Sequence, residues 1–128
     1  MVTVTVKKQY LKRLLVKKVS DSDLEEALSQ VKAGVDSQTE DEYSLEVTGD
    51  RPDLLSAEGI ARALKGRFGV EKGVPHGFFK PSGVTVHAED SATKIRPFVV
   101  GAIIKNAKLS ADDVADLFQI QEKLDLTH

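Results

Sequence analysis

The chain has 128 residues, a formal net charge of −2 at pH 7 and 30% charged residues, and it contains no cysteine. That length fits one ordinary domain, while the missing thiols exclude disulfides, thiolate metal sites and cysteine nucleophiles and favour a cytoplasmic location. No apolar run reaches the roughly 18–20 residues that cross a bilayer, and the near-balanced charge gives no general attraction to nucleic acid or membrane.

The first 18 residues predict a strand followed by a helix. In the opening MVTVTV, valine alternates with threonine, which is typical of a strand with one buried face. Residues 7–18 then carry apolar side chains at helical spacing, so a helix is expected there. These side chains are Tyr10, Leu11, Leu14 and Leu15.

Residues 20–35 predict a second helix. Ser22 and Glu25 have the spacing of a capping box, and Gly34 lies where a helix end is expected. A polar acidic loop over residues 36–42 then leads into a strand over 43–47, where apolar and polar side chains alternate.

The segment after residue 50 predicts a helix to about residue 68, followed by a glycine- and proline-rich loop over 69–83. Val84 and Val86 suggest a short strand. The stretch PFVVGAIIKN is almost continuously apolar and β-branched, which is typical of a strand covered on both faces. Ser110 is expected to cap a last helix, whose register is marked by Val114, Leu117, Phe118 and Gln121.

This order of elements predicts an α+β fold, with a small mixed sheet packed against three to four helices. The loop over residues 69–83 is the expected place for one unit to end and another to begin. Nothing later in the chain covers the second face of PFVVGAIIKN, so the chain is expected to end in the truncated start of a second α/β unit.

Residues with catalytic or metal-binding chemistry are sparse. His76, His87 and His128 are far apart, and none has a second ligand at metal spacing. The glycines over residues 66–77 are not followed by the Gly-Lys-Ser/Thr of a phosphate-binding loop. Ser56 has no histidine close in sequence to act as its base. We therefore expect neither a catalytic residue nor a metal site.

Charge is distributed unevenly along the chain. Residues 1–18 contain six basic residues and no acid, whereas residues 21–46 contain nine acids against one lysine. The basic helix could contact RNA phosphates, pair with the acidic helix that follows, or form a solvated face. The candidates for nucleic-acid contact are Lys7, Lys8, Lys12 and Arg13.

The stretch GDRPD, directly before an apolar helical pattern, is interpreted as a helix start. The helix could begin at Pro52 with Asp50 as its cap, or after a tight turn at Asp53 or Ser56. A glycine inside this helix, at position 59, costs up to ~1 kcal/mol relative to alanine, so another group is expected to pack closely there. Arg51 could pair with a carboxylate or reach a partner. The structural residues of this segment are Asp50, Arg51, Pro52, Asp53, Ser56 and Gly59.

These residues carry a family resemblance. DRPDLLSAEGIARALKG closely resembles the helix start in the N-terminal module of the phenylalanyl-tRNA synthetase beta-subunit family, archaeal and eukaryotic type. In the same order, further stretches of this chain are similar to that family, namely MVTVTVKKQYLKRLL, DSDLEEALSQVKAGVD, KPSGVTV, KIRPFVVGAIIKN and FQIQEKL. Asp50 stands where the family often has asparagine, and Asp125 where histidine is common.

The resemblance implies a large enzyme. The full beta subunit would be several times longer and would pair with an alpha subunit, normally as an alpha2beta2 heterotetramer. The catalytic core that uses ATP, Mg²⁺ and phenylalanine would lie in the alpha subunit, and the beta subunit would carry an editing domain that hydrolyses mischarged tyrosyl-tRNA.

On this mapping, residues 1–85 are the N-terminal module and residues 86–128 are the truncated start of the editing-type domain. The expected function is a structural part, near tRNA(Phe), of a cytoplasmic phenylalanine–tRNA ligase. This piece is expected to bind no cofactor and to be inactive alone. The alternative is a freestanding RNA-binding or protein-interaction module that uses the basic N-terminal helix.

Overall fold

A computed structural model of the chain describes residues 2–74, 77 and 79–127, without the side chain of Thr127. Contacts divide the chain into unit 1, residues 1–74 and 109–128, and unit 2, residues 75–108. The strands are β1 Val2–Lys7, β2 Ala33–Gln38 and β3 Glu42–Val47. The helices are α1 Lys8–Leu15, α2 Asp21–Gln30, α3 Ala57–Arg67, α4 Asp90–Thr93 and α5 Ala111–Thr127, and a 3-10 turn covers Pro52–Leu54.

Unit 1 contains a three-stranded sheet in the order β1-β3-β2. Both pairings are antiparallel, with Val4 opposite Leu45 in the first, and with an irregularity between Val35 and Ser37 in the second. The predicted α+β class is confirmed, but the sheet is antiparallel rather than mixed. Strand β2 was not predicted, because its residues fell within the expected second helix and the acidic loop.

Helix α2 is shorter than the sequence predicts. It ends at Gln30, and Lys32 then adopts a positive φ of 67°, which turns the chain into β2. Gly34 therefore lies within a strand and does not end a helix. The predicted capping box of Ser22 and Glu25 is wrong, because Ser20 is the cap and its Oγ accepts the backbone N–H of Asp23 at 3.1 Å.

The core lies between one face of the sheet and helices α1, α2 and α3. Along β1 and β3 alternate side chains are buried, as the period of two in the sequence predicts. The helices contribute the apolar stripes that their spacing indicates. The buried apolar residues are Val4, Val6, Tyr10, Leu11, Leu15, Leu24, Ala27, Leu28, Ala33, Tyr43, Leu45, Val47, Leu54, Leu55, Ala57, Ile60, Ala61 and Leu64.

Helix α5 also belongs to unit 1 and has the expected cap. The backbone N–H of Asp113 donates to the Ser110 Oγ at 3.3 Å, and the Ser110 N–H donates back to the Asp113 carboxylate at 2.6 Å. The apolar side chains that mark its register in the sequence are largely exposed, including Leu117 and Phe118. The helix therefore contacts unit 1 through another face.

Unit 2 contains the short helix α4 and no strand among its described residues. The strands expected over residues 84–88 and in PFVVGAIIKN are therefore not formed. Phe98 is 90% exposed and Val100 97% exposed, so this apolar segment has no layer over it within unit 2. An extended segment needs a neighbouring strand to satisfy its backbone, and none is present there. Whether residue 85 separates two domains stays a prediction.

In the part of the chain that the structure describes, none of the helices has the length and apolar character that crossing a membrane requires.

The end of α1 generates a stability prediction. Val16 follows this helix with a φ of 57°, a left-handed conformation that is unfavourable for a β-branched side chain. Its side chain is 82% exposed, so removing it sacrifices little packing. We expect Val16→Gly to raise the free energy of unfolding by about 0.5–1 kcal/mol, measured by urea denaturation. Val16→Ala, which keeps a Cβ, is the control; a glycine variant no more stable than the alanine variant would contradict the strain.

Candidate functional site

Arg51 connects the turn after β3 to the end of α2. Its Nε and one terminal nitrogen donate to the two carboxylate oxygens of Asp53, at 2.9 and 2.8 Å. The other terminal nitrogen donates to the carbonyl oxygen of Val31 at 3.1 Å. The hydrogen bond from Arg51 lowers the pKa of Asp53 below its usual value and keeps the carboxylate ionised. One side chain thus fixes two neighbouring segments.

Asp50 forms a second, more exposed ion pair at the same turn. Its carboxylate lies 2.8 Å from the Lys32 Nζ, and the side chains of both residues are more than half exposed. The hydrogen bond from Lys32, followed by that from Thr48, lowers the pKa of Asp50 to about 2. Because both charges are solvated, this pair contributes little to stability.

Of the two helix starts that the sequence leaves open, the structure shows the second. Pro52 begins a separate 3-10 turn, and α3 starts only at Ala57, with Ser56 as its cap. The Ser56 Oγ accepts the backbone N–H of Gly59 at 3.0 Å. A Cβ on Gly59 would lie 1.8 Å from the carbonyl oxygen of Asp53, so the turn and the helix pack in direct backbone contact.

The four basic candidates for nucleic-acid contact all interact with protein groups. Lys7 and Arg13 lie 3.0 and 3.4 Å from the Asp112 carboxylate of α5. Lys12 lies 2.5 Å from Asp21, at the start of the acidic helix. The remaining candidate, Lys8, donates to Gln38 and lies over the ring of Tyr43. Contact of this face with RNA stays a prediction.

A group of carboxyls at the junction of α1, α3 and α5 was missed by sequence reasoning. The hydroxyl of Tyr10 lies within hydrogen-bonding distance of the Glu58 carboxylate and 2.8 Å from that of Asp113. The backbone N–H of Ala57 donates to both oxygens of Asp116, at 3.1 and 3.0 Å. These residues are up to 103 positions apart, and no local pattern relates them.

Asp116 is the most perturbed acid of this junction. It is only 7% exposed, and burial, followed by hydrogen bonding to the Glu58 side chain, raises its pKa to about 7. The backbone hydrogen bond from Ala57 opposes this shift. Burial, with hydrogen bonds to Glu58 and Asp113, likewise raises the pKa of Tyr10 far above its usual value.

The described residues contain no group of three or more histidine, cysteine, aspartate or glutamate side chains able to hold a metal ion. His87 is exposed, whereas His76 and His128 lie outside the described residues. The arrangement around α3 therefore joins structural elements through ion pairs and shared protons.

Comparison with known proteins identifies relatives across nearly the whole chain. Over 127 residues it is 36% identical to the phenylalanine–tRNA ligase beta subunit of Pyrococcus horikoshii, which covers 95% of this chain and 23% of that protein. The beta subunit of Sulfolobus acidocaldarius is 40% identical over 110 residues, covering 86% of this chain and 20% of its own length. No protein-family profile matches the chain.

A solved structure has the same fold. A crystal structure of an N-terminal fragment of the phenylalanyl-tRNA synthetase beta subunit from Pyrococcus horikoshii matches with a TM-score of 0.88 and 34% identity. The match covers 98% of this chain and 38% of that fragment. The resemblance drawn from the sequence motifs is thereby confirmed. The chain spans less than a quarter of the length of the curated relatives compared here, 23% and 20%.

The contact at Gly59 generates a matched pair of predictions. Gly59→Ala forces the Asp53 carbonyl away from α3, so we expect the free energy of unfolding to fall by about 1–3 kcal/mol or more. Gly66 lies in the same helix, and the nearest atom to a Cβ there is 3.8 Å away. Gly66→Ala should therefore raise stability by about 0.5–1 kcal/mol. Denaturant unfolding followed by circular dichroism measures both; equal effects would refute the close packing.

The forked contact of Arg51 with Asp53 and Val31 predicts that lysine cannot replace arginine. We expect Arg51→Lys to lower stability by about 1 kcal/mol at pH 7, since an ammonium cannot reproduce the planar geometry. Lys32→Gln, which breaks the exposed pair with Asp50, should change stability by less than about 0.5 kcal/mol.

The effect of Arg51→Lys should also depend on pH. Because the pKa of Asp53 is lowered in the fold, its ionic contribution is present above the ordinary value of 3.8 and is lost as the pH falls through the lowered value. The stability difference between wild type and Arg51→Lys should therefore shrink below pH 3. A difference that stays constant down to pH 2 would argue against this ion pair.

Proposed function

We propose that this chain, a relative in sequence and fold of phenylalanine–tRNA ligase beta subunits, is the N-terminal part of such a subunit. The observation that carries the proposal is the structural match over 98% of the chain at 34% identity and a TM-score of 0.88. Matches to beta subunits of several archaea support it, including 34% identity over 124 residues with that of Methanocella arvoryzae, covering 97% of this chain and 22% of that protein.

In this proposal the chain is a structural module of an enzyme that attaches phenylalanine to its tRNA. ATP and Mg²⁺ would be used by the full enzyme, in the alpha subunit, and this piece alone would be inactive. Its partners would be the alpha subunit, in an alpha2beta2 heterotetramer, and tRNA(Phe), and its location would be the cytoplasm. The contacts around α3 support a structural role, since Arg51 and Gly59 join segments of unit 1 through backbone and ion-pair contacts.

We further propose that residues 1–85 form the N-terminal module and residues 86–128 the start of an editing-type domain. The exposure of the apolar stretch PFVVGAIIKN supports this assignment, because such a stretch is stable as a strand only inside a larger sheet. Its side chains at Phe98, Val100 and Ile104 are each more than four-fifths exposed in this structure.

The alternative of a freestanding RNA-binding module rests on the basic N-terminal face. Three of its four candidate residues, Lys7, Lys12 and Arg13, form ion pairs within unit 1. Binding phosphate would require these pairs to break or to be shared, which weakens the electrostatic attraction. The structural module is therefore the preferred function.

A chimera provides the test. The corresponding N-terminal residues of the Pyrococcus horikoshii beta subunit would be replaced by this chain and co-expressed with the alpha subunit of that organism. We expect the chimera to assemble with the alpha subunit and to attach phenylalanine to tRNA, whereas the 128-residue chain alone forms no product. Assembly is measured by size-exclusion chromatography with light scattering, and activity by charging of tRNA.

Two results would count against the structural module. The first is a chimera that folds but neither assembles nor charges tRNA, while the unmodified subunit does both. The second is tight tRNA binding by the 128-residue chain alone, weakening steeply between 50 and 200 mM salt, which would favour the RNA-binding alternative. The same chimera carrying Gly59→Ala separates loss of folding from loss of assembly.

A further inference from the structure

Helix α5 is attached to the rest of unit 1 mainly through polar groups. Its side chains of Asp112, Asp113, Asp116 and Gln119 contact β1, α1 and α3. From α5, only Ile120 packs as a partly buried apolar side chain against the core. The burial of apolar surface that normally secures a helix is therefore small here, and the polar contacts decide whether α5 stays attached.

The carboxyl groups at this junction outnumber the protons available to them. Tyr10 offers one hydroxyl proton, yet two carboxylates, those of Glu58 and Asp113, lie within hydrogen-bonding distance of it. The Asp116 side chain is hydrogen-bonded with that of Glu58. Ionised carboxylates only accept hydrogen bonds, so a bond between two of them requires a proton on one. The geometry thus holds an additional proton at Asp116 and Glu58.

The charges facing Asp116 from the neighbouring elements do not replace this proton. From β1 and α1, Lys7 and Arg13 are both engaged with Asp112, one turn away on α5. From α3 come the backbone N–H of Ala57, which favours an anion, and the carboxyl of Glu58, which disfavours one. From α5 itself, Asp113 adds a further negative charge. Asp116 is 7% exposed, so water screens these charges weakly.

We propose that Tyr10, Glu58, Asp113 and Asp116 form a proton-dependent latch, in which one proton shared by Asp116 and Glu58 holds α5 against α1 and α3. Loss of that proton places three carboxylates around one hydroxyl, and their repulsion weakens the attachment of α5. The carboxyl latch, as we name these four residues, makes the position of the last helix of unit 1 depend on pH near neutrality.

The direction of the pH dependence follows from the group that gains the proton. The pKa of Asp116 is raised from 3.8 to about 7 in the attached state. Its contribution is complete below the ordinary value and is lost as the pH rises through about 7. Asp113 acts in the opposite sense, since backbone hydrogen bonding at Ser110 lowers its pKa, and its contribution is lost in acid. Attachment is therefore strongest at mildly acidic pH.

Hydrogen–deuterium exchange on the 128-residue chain tests the latch. Protection factors of the α5 amides, corrected for intrinsic exchange, should be on the order of tens of times larger at pH 5 than at pH 8. The amides of α2, which is capped by Ser20 and does not contact the latch, serve as the internal reference. Equal α5 protection at the two pH values would overturn the proposal.

Three variants separate the proton from other contacts of α5. Asp116→Asn imitates the protonated acid, because its amide keeps an oxygen for Ala57 and gains a donor for Glu58, so α5 protection should be high and equal at both pH values. Glu58→Gln should shift the transition to lower pH. Asp112→Asn, the matched control, loses the ion pairs with Lys7 and Arg13. It should lower protection at both pH values and keep their ratio.

A direct titration covers the case in which Asp116→Asn fails to attach α5. The carboxyl ¹³C resonance of Asp116 in the wild-type chain should titrate near pH 7. A midpoint near 4 would refute the latch, as would Asp116→Asn retaining the full difference in α5 protection between pH 5 and pH 8.

Discussion

The contact between the Asp53 carbonyl and the backbone of Gly59 is the constraint on which unit 1 depends. It sets the angle between the 3-10 turn and α3, and so determines where the ends of both point. On one side of this contact, Arg51 reaches the last turn of α2 through Val31. On the other, the free N–H of Ala57 faces Asp116 of α5. A single tight backbone approach thus aligns three helices with respect to the sheet.

Local periodicity predicts most of the elements in unit 1. The alternation in β1 and β3 and the stripes of α1 and α3 are visible in the sequence because each buries one face. Strand β2 is different, since Gly34 and Ser37 carry no apolar alternation and its stability comes from pairing with β3. The apolar run PFVVGAIIKN fails in the opposite way, because strong strand propensity forms no strand without a neighbouring strand.

The candidate site could be predicted only where its contacts are local. Proline, serine and glycine spacing indicates the helix start around Pro52, and the pair of Arg51 with Asp53 spans two positions. The carboxyls at α5 meet Tyr10 and Glu58 from more than 50 residues away, so their roles depend on the tertiary fold. Asp116 looks like a solvated helix acid in the sequence, yet it is buried. Only its position against α3 makes it unusual.

The side chain of Gln119 has a consequence for solubility. Strand β1 is at an edge of the sheet, and the backbone N–H and carbonyl of Thr5 are paired with the Gln119 amide at 2.9 and 3.0 Å. That amide occupies the position at which a strand of another molecule would add. At the opposite edge, β2 carries exposed Asp36 at its irregularity. Both borders of the sheet therefore resist aggregation, one through a helix side chain and the other through a distorted, charged backbone.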